Sequence, residues 1–171
     1  VFQRHRAHIL QGSLGLDDIV LQDVAVTFLM FAHQLVLVVV VMMIYQVPLS
    51  TKTLLCLPGL ALIIVNGYWV TRLFGVLGAR YRDLSEVFQA VMRIAFLATP
   101  IIWMPGERGG VIDLFSLYNP FFHVIEVFRA PLLGRPIDPL SWLVVLAITL
   151  CGLWLARQTN SRFARYVSLW V

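Results

Sequence analysis

An all-α, polytopic transmembrane helix bundle is the fold this sequence predicts, and three observations predict it. Sixty per cent of the 171 residues are hydrophobic, 13% are charged, and the apolar residues gather into long stretches parted by short charged ones. The mean hydropathy is +0.84. A soluble domain keeps polar residues on its surface and carries roughly twice that share of charge. Lipid is the solvent that accepts such a surface. The expectation is a single transmembrane domain over 1–171.

Residues 1–23 are mixed and polar and read as a cytoplasmic segment. The chain opens on Val1, without the charged, apolar and small-residue succession of a signal peptide, and is expected to be a fragment whose start is missing. The first apolar stretch, 24–47, covers about 36 Å as a helix, enough for a hydrocarbon core of about 30 Å with some tilt. Its run Val38–Val41 suits a strand in water, but the length and the lack of alternation favour a spanning helix. Pro48, Ser50 and Thr51 mark a turn.

The second stretch, 54–77, is interrupted by Asn66-Gly67 and carries Arg72 in its last third, from where a long side chain reaches the interface. Residues 78–86 form a short charged connection. The third stretch, 87–104, holds Arg93 and Pro100 and is the least apolar span. An Arg at the bilayer centre costs about 2.5–3.5 kcal/mol, against about 0.3–0.6 returned by each Leu, Ile, Phe or Val. Arg93 therefore belongs against neighbouring helices, a cavity or the interface.

Residues 105–139 carry too many charges to span. Within them Asn119-Pro120 is a helix start, since Asn caps and Pro suits the first helical position. Phe121, Ile125, Phe128 and Leu132 follow at helical spacing, and Pro131 and Gly134 close the pattern. A short amphipathic helix at the interface, or one dipping back into the protein, is expected. The last span covers 140–156, and 157–171 is an Arg-rich cytoplasmic tail.

Charge placement orients these four spans. One side holds nine cations, Arg4, Arg6, Arg72, Arg80, Arg82, Arg93, Arg157, Arg162 and Arg165, and the other holds four, Lys52, Arg108, Arg129 and Arg135. The positive-inside rule then makes both termini cytoplasmic and the 105–139 segment external.

The chemistry in the sequence is sparse. There is no P-loop, no G-x-S-x-G and no H-E-x-x-H, and no catalytic or metal-binding residue is assigned. Cations are scattered without interleaved aromatics, which excludes nucleic acid as a partner. Cys56 and Cys151 stand apart and read as small packed hydrophobes. His5 and His8 flank Arg6 without enough further ligands for a metal. His33 beside Gln34 is either a functional intramembrane pair or a helix-to-helix hydrogen bond. Glu126 and Arg129 sit at ion-pair spacing, and no second carboxylate is placed for glycoside chemistry. Trp103, Phe115, Tyr118, Phe121, Phe122 and Phe128 form either an interfacial belt or a set of faces along which a glycan slides.

Arg80-Tyr81-Arg82-Asp83-Leu84 after one span, Thr99-Pro100-Ile101-Ile102-Trp103 ending the next, then Tyr118-Asn119-Pro120 with Glu126, Arg129 and Pro131-Leu132-Leu133-Gly134, occur in a telling order. The set resembles the type-2 ABC exporter permeases, in particular the polysaccharide and O-antigen export branch, and covers the chain from about Ala25 on. The resemblance implies the last four spans of a six-span subunit in a bacterial inner membrane. It implies two permease copies, separate ATP-binding subunits that carry ATP and Mg, membrane lipids, a lipid-linked glycan as substrate, and no cofactor in this chain. It places Trp103, Tyr118, Phe121, Phe122, Phe128 and Arg93 along the substrate path and external gate. Arg80, Arg82 and Asp83 fall at the cytoplasmic end. An exporter of small hydrophobic molecules, or a membrane-embedded enzyme of lipid-linked sugar metabolism, are the rival expectations. The enzyme would want its carboxylates or His at one depth, and here they are dispersed.

Overall fold

The computed structural model describes residues 2, 5, 7, 9, 15–47, 51–81, 83–99, 117–136 and 138–170, with the side chains of 164, 165, 168 and 169 excepted. Among them the chain is helical and holds no strand. The helices are α1 (Leu16–Ile44), α2 (Cys56–Arg80, entered through a 3-10 turn, Thr51–Leu55), α3 (Leu84–Ala98), α4 (Pro120–Leu132) and α5 (Pro139–Trp170).

Helix ends follow capping chemistry more closely than hydropathy. α1 starts eight residues before the expected 24, because Asp17 and Asp18 sit in its first turn, where the helix dipole favours negative charge. The Gly15 N–H also bonds Asp18 Oδ2 at 3.1 Å. In α2, Pro58 is the third residue, where a missing N–H leaves no helical bond unmade. Asn66-Gly67, expected to interrupt the stretch, lies inside a continuous helix. α5 does not stop at 156: it runs through Arg157, Arg162 and Arg165 to Trp170, so the expected tail is helical.

Among the described residues, three helical segments are long and apolar enough to cross a membrane: Leu16–Ile44, Thr51–Arg80 and Pro139–Phe163. α3 has 15 residues. At 1.5 Å per residue that is about 22 Å, short of a hydrocarbon core of about 30 Å. The expected third span, 87–104, is thus helical to Ala98, and 100–104 lie outside the described residues.

The chain divides into two compact units, one of Val1–Pro48, Ile63–Arg82 and Thr149–Val171, the other of Leu49–Leu62 and Asp83–Ile148. The first has a core of Phe2, Ile19, Val20, Val76, Ala79 and Val167, with Tyr68, Phe163 and Trp170 packed around it. Full burial of such side chains stabilises by about 1.5–3 kcal/mol each in water. The apolar length of α1 is different. Leu29, Met30, Leu37 and Met43 are exposed, and no residue of its most apolar window is buried by protein.

In the second unit, α4 packs on the 3-10 turn and on the start of α2. A side chain at Gly59 would collide with the carbonyl of Val127. That carbonyl is the one Pro131 would bond if it had an N–H, so the proline frees an acceptor and the glycine lets it come close. The helix nevertheless runs through Pro131 to Leu132 and closes at Gly134, whose φ is 67°.

Candidate functional site

The richest polar chemistry among the described residues surrounds α4. Asn119 caps it: its Oδ1 accepts the Phe121 N–H at 3.0 Å. Its Nδ2 donates to Thr99 Oγ1 at 3.0 Å, just past the end of α3. Thr99 is buried, and its hydroxyl donates back to the Ala95 carbonyl at 2.6 Å. One asparagine thus starts a helix and ties it to another.

One turn into α4, His123 is 1% exposed. Its Nε2 lies 2.8 Å from the Leu117 carbonyl and its Nδ1 2.9 Å from Ser141 Oγ. The Ser141 hydroxyl, also 1% exposed, donates to Asp138 Oδ2 at 2.8 Å. Asp138 in turn caps α5, accepting the Leu140 and Ser141 N–H groups at 3.1 and 3.2 Å. Burial alone would raise the Asp138 carboxyl. The bonds from the Ser141 hydroxyl and from the two amides, with His123 nearby, outweigh it and leave the group below its ordinary value.

A Ser, a His and an Asp in one chain invite a nucleophilic reading, and the order of the groups argues against it. In a triad the imidazole stands between carboxylate and hydroxyl, where it can take the proton of the nucleophile. Here the hydroxyl stands between carboxylate and imidazole, with its oxygen buried. The arrangement fastens the head of α5 to α4.

α4 is apolar on two faces. Phe122, His123, Val127, Ala130 and Pro131 are buried. The expected stripe of Phe121, Ile125, Phe128 and Leu132 falls on the opposite side at 100° per residue. Phe121 is 38% exposed on that side, and the other three are half-buried. Of the expected path residues, then, Phe121 and Phe128 share the outer face, Phe122 lies in the packed interior against the His123 ring, and Tyr118 is 81% exposed ahead of the helix. Arg93 is exposed on α3 beside a shallow apolar recess of Met92, Phe96 and Leu97. Trp103 lies outside the described residues, as does Arg82. Glu126 and Arg129 make the expected pair, at 2.7 and 3.0 Å.

In the first unit, Arg80 is exposed between the rings of Tyr81 and Trp170, at 5.2 and 5.4 Å from their centroids, and Asp83 in the second unit is exposed. Arg72 does not reach outward as expected. It is 4% exposed and forms an ion pair with Asp17, which also accepts the Tyr68 hydroxyl at 2.9 Å. Asn66, buried, donates to Thr149 Oγ1 at 2.7 Å and accepts the Trp69 indole N–H at 2.8 Å. Gly152 admits the Trp69 ring where any side chain would collide with it. His33 and Gln34 are both exposed on α1. Among the described residues no group of three or more potential metal ligands occurs.

Sequence reasoning missed the part played by His123, Ser141 and Thr149. The Asp138-x-x-Ser141 spacing at the start of a span is a legible cap signal. Nothing local links it to a histidine 18 residues earlier. No known protein family matches this chain, and neither does any curated protein or solved structure.

Proposed function

We propose that this chain is a permease subunit of an ATP-driven exporter in a bacterial inner membrane, moving a lipid-linked polysaccharide of O-antigen, capsule or teichoic-acid type. The observation that carries this reading is α4. It is a short helix ahead of the last apolar helix, held at its N-terminal end by Asn119 and His123, with a second, partly exposed apolar face that includes Phe121 and Phe128. A helix so held presents partly exposed aromatic surface on which an amphipathic passenger can rest.

In this reading the chain crosses the membrane four times, α3 being the third crossing, and both termini are cytoplasmic. Two copies form the conduit. ATP and Mg are handled by a separate subunit, and this chain breaks no bond. Binding of ATP to that partner favours one helix arrangement over another, which is a population shift. Arg80, Arg82 and Asp83 stand at the cytoplasmic end, and Arg93 either meets a phosphate of the substrate or faces water.

The test is to purify the chain from its native membrane and assay the preparation for ATPase activity. A co-purifying ATPase is the expected result. In the same cells, deletion is expected to trap polysaccharide inside. Unchanged surface polysaccharide after deletion overturns the reading.

A further inference from the structure

We propose that His123, Ser141 and Asp138 form a proton-operated latch between α4 and α5, closed when the imidazole is charged and loosened when it is neutral. The inference stands on hydrogen-bond parity and does not depend on the exporter reading.

His123 Nε2 faces the Leu117 carbonyl at 2.8 Å. A carbonyl can only accept, so Nε2 carries a proton. Nδ1 faces Ser141 Oγ at 2.9 Å, and the hydroxyl has one proton to give. That proton is directed at Asp138 Oδ2, 2.8 Å away. With Ser141 donating to Asp138, Nδ1 must donate to Ser141, and an imidazole that donates from both nitrogens is an imidazolium. In the neutral ring Nδ1 is a bare acceptor. Ser141 must then turn its hydrogen away from Asp138, or two lone pairs face each other in a buried site. Either way one hydrogen bond is lost, and so is the attraction between the ring and the Asp138 carboxylate.

Burial of the ring opposes its charge, and an ionised partner joined to it offsets that cost. Asp138 is the ionised group joined to His123, through Ser141. On α4 itself, Glu126 and Arg129 pair with each other. The 3-10 turn packed against α4 carries Lys52, the stretch of α2 beside it holds Cys56 as its one ionisable side chain, and Arg135 follows the helix. The end of α3 that meets Asn119 presents Ala98 and Thr99, with Arg93 more than a turn earlier. Against the effect of burial, the Ser141 hydroxyl, the Leu140 and Ser141 amides and the nearby His123 hold the Asp138 carboxyl below its ordinary value. Closing the latch therefore takes up a proton at His123 while Asp138 keeps its charge, so mild acid favours the closed form and its hold weakens as pH rises.

The test uses the whole chain in phosphatidylcholine–phosphatidylglycerol nanodiscs, with amide hydrogen exchange read by mass spectrometry. After correction for intrinsic exchange, amides of 121–133 are expected to be roughly tenfold better protected at pH about 5.5 than at about 8, the size of one hydrogen bond to a charged group. His123→Gln removes the titrating ring. Ser141→Ala keeps the ring but cuts its link to Asp138. Both variants are expected to lose the pH dependence, while protection of α1 at unchanged values reports that each has folded. Equal protection of the wild-type chain at the two pH values overturns the latch, as does stronger protection in alkali. So does a pH dependence that survives in either folded variant.

Discussion

Asn119 does two jobs with one side chain, and they can be separated by substitution. Asn119→Ser keeps an N-cap acceptor for the Phe121 amide and drops the reach to Thr99. Asn119→Ala drops both. The Ala variant is expected to lose about 1–2 kcal/mol and the Ser variant clearly less, measured by thermal unfolding in detergent. Asp138 makes a pH prediction of definite sign. Its folded-state value is lowered, so its contribution is fully present above the ordinary carboxylate value. That contribution fades as pH falls through the lowered one. Exchange at the Leu140 and Ser141 amides is expected to rise over that acid range in the wild-type chain. In Asp138→Asn it is expected to be raised at every pH. Gly59→Ala is a packing test. Its methyl would meet the Val127 carbonyl, and the misfit is expected to destabilise by about 1–3 kcal/mol.

Among elements, those with strong periodic or apolar signals were readable, and pairings across long stretches of sequence were not. The Asn119-Pro120 start and the Gly134 stop of α4 stand where sequence chemistry puts them. Its buried face does not, because Phe121, Ile125, Phe128 and Leu132 make as good a stripe as Phe122, Val127, Ala130 and Pro131. What decides between them is Gly59, 68 residues before Val127 and invisible to any local pattern. The same holds for Asn66, whose partner Thr149 is 83 residues away. Within an apolar helix Asn66 reads as a break; bonded to Thr149 it is a fastener between α2 and α5. Asn66→Leu and Thr149→Val, combined in a double-mutant cycle, are expected to show a coupling of about 0.5–2 kcal/mol, since lipid supplies few competing partners. Hydropathy also misplaces helix ends, because Asp17 and Arg157 are unwelcome in lipid but welcome in a helix that projects from it.

At the scale of the molecule, three helices among the described residues carry the membrane signature and α3 falls short of it by length. The proposed four-crossing topology puts Asp83 and Tyr118 on opposite sides. Single cysteines at these two positions, in a chain with Cys56 and Cys151 replaced, are expected to react with an impermeant maleimide from opposite faces. Labelling from one face removes the conduit. The bare surface of α1 has a further consequence, for how the protein is made. From Val24 to Ile44 the helix carries no formal charge, and no residue of its most apolar window is buried by later segments. Each Leu, Ile, Phe or Val there favours partition from the translocon by about 0.3–0.6 kcal/mol. α1 is therefore able to enter the bilayer alone while the ribosome is still translating, whereas in the proposed four-crossing topology α3, with its Glu86 and Arg93, must wait for companions before it can settle.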